Sequence, residues 1–140
     1  MRRLLLAAAV AAALPATLSA QGYRAVNDLI VIGVNRTTFE VIESRGEGPR
    51  GIWCAAADYA ERRLGAKGRI YIREGRGASR RVSGSTSVVF TTDENTLAQG
   101  PSRSISLTTS VVGVGLPVAH AIQFCRPEEF ELTNHLPRRN

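Results

Sequence analysis

The clearest periodic stretch of the chain runs from Gly51 to Gly65, where apolar residues return every three or four positions. At 100° per residue, Ile52, Trp53, Ala56, Ala57, Ala60 and Leu64 fall on one arc of about 140°, with Asp58, Glu61 and Arg62 opposite. The pattern predicts an amphipathic helix lying on a sheet. Gly51 is placed as its N-cap and Gly65 as the left-handed residue beyond its end, while Arg62 and Arg63 complement the negative end of the helix dipole. The same helix carries the single Trp and one of the two Cys.

The remaining apolar runs are short and rich in β-branched and aromatic residues. Leu29 to Val34 and Phe39 to Ile42, joined by the polar Asn35-Arg36-Thr37-Thr38, predict a hairpin. Asn35-Arg36-Thr37 also matches a glycosylation sequon, which is read here only as a turn. Arg69 to Glu74 alternates, with Ile70 and Ile72 facing the core, and Ser87 to Thr92 is a further strand followed by a turn at Asp93 to Asn95. After a loop from Leu97 to Ser104, Ile105 to Thr109 is expected as a strand edging into Val111 to Gly115. Val118, Ala121, Ile122 and Cys125 are spaced for one face of a short helix over Pro117 to Phe124, with Pro at its first position; a final strand is the alternative. These elements predict an α+β domain: an antiparallel sheet of about four or five strands, the main helix on one face and a short C-terminal helix.

Ahead of this domain, Met1-Arg2-Arg3 is followed by the eleven uncharged residues Leu4 to Leu14 and by Pro15 to Ala20. A basic start, an apolar centre and a small-residue exit are the parts of a secretory signal, and the apolar run is too short to stay as a membrane span. Cleavage is expected after Ala20, leaving a single domain over residues 21–126, a flexible tail over 127–140, and a periplasmic or secreted location with no transmembrane segment. In that oxidising setting Cys54 and Cys125 are expected to pair. The alternative is a nucleophilic Cys54 near a helix N-terminus, which Asp58 and Glu61 would oppose by disfavouring a thiolate.

Charge changes the picture only locally. The formal net charge of +6 falls to +4 once Arg2 and Arg3 leave with the signal, a value that solubility alone accounts for. Within it, Arg69, Arg73, Arg76, Arg80 and Arg81 stand close in sequence with Glu74 as the one acid among them, a candidate anion-binding patch. The competing reading is a solvated strand edge whose charges discourage edge pairing. No row of aromatic residues accompanies these arginines, which argues against nucleic acid.

Other motifs carry little chemistry. Gly46-Glu47-Gly48-Pro49-Arg50-Gly51 matches G-x-G-x-x-G, with Glu74 in the place of a ribose-binding acid. However, polar residues separate it from the strand, and Pro49 removes an N–H from the phosphate turn. His120 and His135 have no metal-ligand spacing, and no G-x-S-x-G elbow is present. No catalytic residue, metal or cofactor is assigned.

The order Phe39-Glu40-Val41, Trp53 to Ala60, Leu64-Gly65, Arg69-Ile70-Tyr71 and Phe124-Cys125 resembles an uncharacterised family of small exported proteins from alphaproteobacteria, a domain of unknown function. The resemblance implies export, the Cys54 and Cys125 pairing and a single domain, and it brings no activity or binding residue with it. The leading expectation is a non-enzymatic binding or structural protein of the envelope, whose partner is an envelope protein or an acidic polymer. A polyanion-binding module built on the Arg69 to Arg81 stretch is the first alternative. A hydrolase-type enzyme with a site not visible in the sequence is the second.

Overall fold

A computed structural model describes residues 22–126 of the chain, so the expected signal and C-terminal tail lie outside the described residues. Six strands form one antiparallel sheet: β1 (Tyr23–Arg24), β2 (Ile30–Gly33), β3 (Thr38–Ile42), β4 (Arg69–Ala78), β5 (Thr86–Thr91) and β6 (Gly115–Pro117). Their order across the sheet is β1-β2-β3-β5-β4-β6, so β3 and β5 sit at its centre. The helix α1 (Pro49–Leu64) connects β3 to β4 and lies on one face. A short helix α2 (Val118–Ala121) and a 3-10 turn at Ile122–Cys125 complete the described chain. The expected α+β class stands, with β1 and β6 as additional edge strands.

Local chemistry explains the ends of the elements. Asn35 closes the first hairpin as an Asx turn, its side-chain oxygen accepting from the N–H groups of Thr37 and Thr38 at 2.9 Å each. α1 starts at Pro49 with Gly48 as N-cap, three residues before the expected N-cap at Gly51, because Pro at the first helical position loses no needed donor and has its φ already fixed. Gly65 ends it in the left-handed conformation with φ 63°, its N–H bonding back to the carbonyl oxygen of Glu61.

Trp53 fills the space between helix and sheet. Its ring meets Phe90 of β5 edge to face at 5.0 Å, and Phe90 stacks on Phe39 of β3 at 5.9 Å. Phe39 in turn packs at 4.8 Å against Tyr59 of α1. The indole N–H is also satisfied, donating at 3.0 Å to the carbonyl oxygen of Thr108.

That last bond corrects one expected strand. Ile105 to Thr109 is irregular chain that crosses the end of the core, with Ile105 97% exposed and Thr109 buried. Its carbonyls are used singly: Thr108 accepts from Trp53, and Thr109 accepts from the N–H of Arg76. The partner that β4 takes on this side is instead β6, with Ile70 opposite Leu116.

The helical wheel also needs correction at Asp58, which is 1% exposed rather than on a solvent face. The segment before β2 folds over it: Oδ2 accepts from the Tyr23 hydroxyl at 2.8 Å and from the Val26 N–H at 3.0 Å. Arg62 Nε lies 2.9 Å from Oδ1, off the line a hydrogen bond needs, and pairs with it by charge. A buried carboxylate is costly unless partnered, so its partners are ordered with it. Asn27 adds a bond from Nδ2 to the carbonyl oxygen of Gly51 at 2.8 Å.

Cys54 and Cys125 form the expected disulfide, with Cα atoms 4.9 Å apart. The C-terminal end of the described chain is thereby fixed beside α1. The expected helix over Pro117 to Phe124 is split into the one turn of α2 and the tighter 3-10 turn that carries Cys125.

Two measurements follow from these ties. Reduction of the disulfide, or Cys125→Ser, lowers the unfolding free energy by about 4 kcal/mol in urea titrations, because it frees a long loop in the unfolded state. Burial first, and the hydrogen bond to Asp58 second, raise the Tyr23 phenol above its ordinary value of 10.0. The folded chain thus holds this proton more tightly than the unfolded chain does. The link stabilises fully below about pH 10 and is lost as pH rises through the folded value. Tyr23→Phe therefore flattens the fall in melting temperature that the native protein shows above pH 10.

Candidate functional site

Alternation along the two central strands decides what the far face of the sheet presents. Phe39 and Val41 of β3 and Val88 and Phe90 of β5 turn toward α1, so Thr38, Glu40, Ser87 and Val89 turn away from it. These four residues lie in the wall of a cleft of about 550 Å³.

β4 supplies the other wall through two irregularities. Ile72 pairs with Phe90 and Glu74 with the next residue of β5, Val89, leaving Arg73 as an extra residue; a second shift lies between Glu74 and Gly77. A bulge re-aims side chains that strict alternation would separate, and here Arg73 and Glu74 both line the cleft. Gly75 passes close to the chain beyond the sheet edge, where a Cβ would come 2.5 Å from the carbonyl oxygen of Ser110. Gly77 and Ala78 leave room along the same wall.

The five arginines of the candidate patch do not form one surface. Arg73, Arg80 and Arg81 line the cleft, whereas Arg69 and Arg76 do not. Arg69 lies near the start of β4, donating to the carbonyl oxygen of Gly115 at 2.7 Å with its guanidinium 6.0 Å from the Tyr71 ring centre. Arg76 is clamped by both oxygens of Glu43, at 2.6 and 3.1 Å, and these bonds hold its proton still more firmly than usual. Arg80 pairs with Glu74 at 3.2 Å. Sequence proximity counted one acid among these arginines; folding brings Glu40 of β3 and Glu43, just beyond its end, to them as well.

Glu40 is the residue that the sequence reading passed over. It is 2% exposed, on the cleft floor, in a strand that is otherwise apolar apart from Thr38. The Ser87 hydroxyl donates to its Oε1 at 2.5 Å, and Arg81 Nε stands 3.8 Å from Oε2, beyond hydrogen-bond length. Arg73 donates from Nη1 to the Thr38 hydroxyl oxygen at 3.1 Å and, among the described residues, has no carboxylate within ion-pair distance. The signal available in the sequence was a glutamate at the centre of a β-rich run, two residues from a threonine on the same face.

The tip of the β4–β5 hairpin sets the position of Arg81. Ser79 Oγ accepts from the N–H groups of Arg81 and Val82 at 3.1 and 2.9 Å, and Gly84 takes a φ of 77° to close the turn.

The other candidate residues lie elsewhere. Cys54 is buried in its disulfide and holds no free thiol. His120 is exposed on α2, edge to face with Phe124 at 5.5 Å, and His135 lies outside the described residues. The last glycine of the G-x-G-x-x-G match, Gly51, is buried within the first turn of α1.

Ser87→Ala removes the one hydrogen bond given to a buried carboxylate. It is expected to destabilise the domain by about 1–3 kcal/mol in chemical denaturation. The same change in Ser79, at the exposed tip, is expected to stay within about 1 kcal/mol.

No family model matches the chain, and neither a curated protein nor a solved structure matches it.

Proposed function

We propose that the protein is an exported, non-enzymatic binding domain that holds an acid group of its ligand in the cleft on the sheet face opposite α1. The observation that carries this reading is Arg73, a guanidinium in a formed cleft that, among the described residues, meets a neutral hydroxyl and no carboxylate. Arg73, Arg80 and Arg81 against Glu40 and Glu74 leave one positive charge over in the cleft wall. That balance suits a single carboxylate or similar anion better than a densely charged polymer. An envelope protein or an acidic polymer would thus present one acid group at a time. The disulfide and the signal-like start of the chain support export.

The test is a titration with galacturonate oligomers, using neutral galactose oligomers as control. Charge-assisted bonds of this kind are worth roughly 1.5–3 kcal/mol, so Arg73→Ser is expected to lower affinity for the acidic probe by about tenfold or more. Arg76→Ser and Arg69→Ser are expected to leave it within about twofold, since those side chains lie outside the cleft. Equal losses at Arg69, Arg76 and Arg73 would return the reading to a diffuse polyanion surface.

A further inference from the structure

The cleft holds two opposite charges that are kept apart. Glu40 has two carboxylate oxygens with about four acceptor positions, of which one short bond from Ser87 is made. The nearest cation, Arg81, stops at 3.8 Å. A buried carboxylate this sparsely compensated weakens the fold, which makes stability a poor account of its presence. Arg73, on the opposite wall, likewise uses one side-chain donor of its five among the described residues. The two do not approach each other within ion-pair distance, because Arg73 is directed to Thr38, two residues along β3 from Glu40. Thr38, which receives the Arg73 guanidinium, and Glu40 are set about 6.6 Å apart along β3.

We infer that the cleft recognises an α-ammonium-carboxylate centre: the carboxylate meets Arg73 and the ammonium meets the Oε2 side of Glu40. This rests on the proposed binding role of the cleft and narrows its ligand class. The argument is one of complementarity. A plain acid would satisfy Arg73 and leave Glu40 as it is, and a plain amine would do the reverse. A compact zwitterion fills both deficits with charge-assisted bonds. The ends of an extended tripeptide, about 10 Å apart, overshoot the spacing. We place both charges on one amino-acid centre, either a free amino acid or the zwitterionic end of a diamino acid carried on a larger chain. Val34 and Val89, with the small Gly75, Gly77 and Ala78, leave space beside the two charges for an uncharged substituent.

The experiment is calorimetric titration of the purified domain with free amino acids, their N-acetyl and amide derivatives, and a peptide containing diaminopimelate with its distal zwitterion free. Free amino acids are expected to bind about tenfold or more tightly than either blocked form. Glu40→Gln is expected to abolish the preference for the free amino acid over its N-acetyl form. Should this variant fail to fold, the comparison of free and blocked ligands on the native protein decides alone. Preference for the diaminopimelate peptide over every free amino acid assigns the centre to a larger chain, and the reverse assigns it to a solute; both support the inference. N-acetyl amino acids binding as tightly as their parents would overturn it while leaving the acid-binding role intact. If neither the amino-acid series nor the galacturonate probe binds, both readings fall.

Discussion

The packing of Trp53 is the contact on which the rest of the arrangement depends. A large ring wedged against Phe90, with its N–H bonded to Thr108, fixes the rotation of α1 about its axis and its height above the sheet. It also ties down the irregular chain between β5 and β6, whose next carbonyl holds β4 at Arg76. The helix then covers one face of β3 and β5, and alternation commits the other face to Thr38, Glu40, Ser87 and Val89. The cleft is thus a consequence of which face the aromatic residues chose.

Polar groups inside the domain fall into two kinds. Asp58 is held from several sides, by Tyr23, by the Val26 N–H and by Arg62, and its work is to fasten the N-terminal strand across α1. Glu40 is equally buried but has one hydrogen bond and one distant cation. The same physical cost is therefore offset within the fold in one case and left partly open in the other. The second of these two carboxylates faces the cleft.

The bulges in β4 give the site its composition. Without the extra residue at Arg73, strict alternation would send Arg73 and Glu74 to opposite faces. With it, a guanidinium and a carboxylate share one wall, and the strand runs on as a hairpin whose tip brings Arg81 over Glu40. Gly75 to Arg81 reads in the sequence as a flexible basic loop, yet β4 continues through Gly75 to Ala78, held in the sheet by pairs with β5 and by the Thr109 carbonyl.

Local pattern was enough for the parts of this protein that are governed by near neighbours in sequence. Those are the turn at Asn35, the glycine stop at Gly65, the period of α1, and the strands around Phe39, Ile70 and Phe90. The tertiary structure alone decided the rest. Asp58 is buried because a segment more than thirty positions earlier folds over it. Ile105 to Thr109 is not a strand because β4 takes Gly115–Pro117 as its partner. The five arginines were legible as a cluster, but their charges were not, because Glu40 and Glu43 reach Arg81 and Arg76 only across the sheet. Composition counts charges along the chain, whereas a site is made by the charges that the sheet brings side by side.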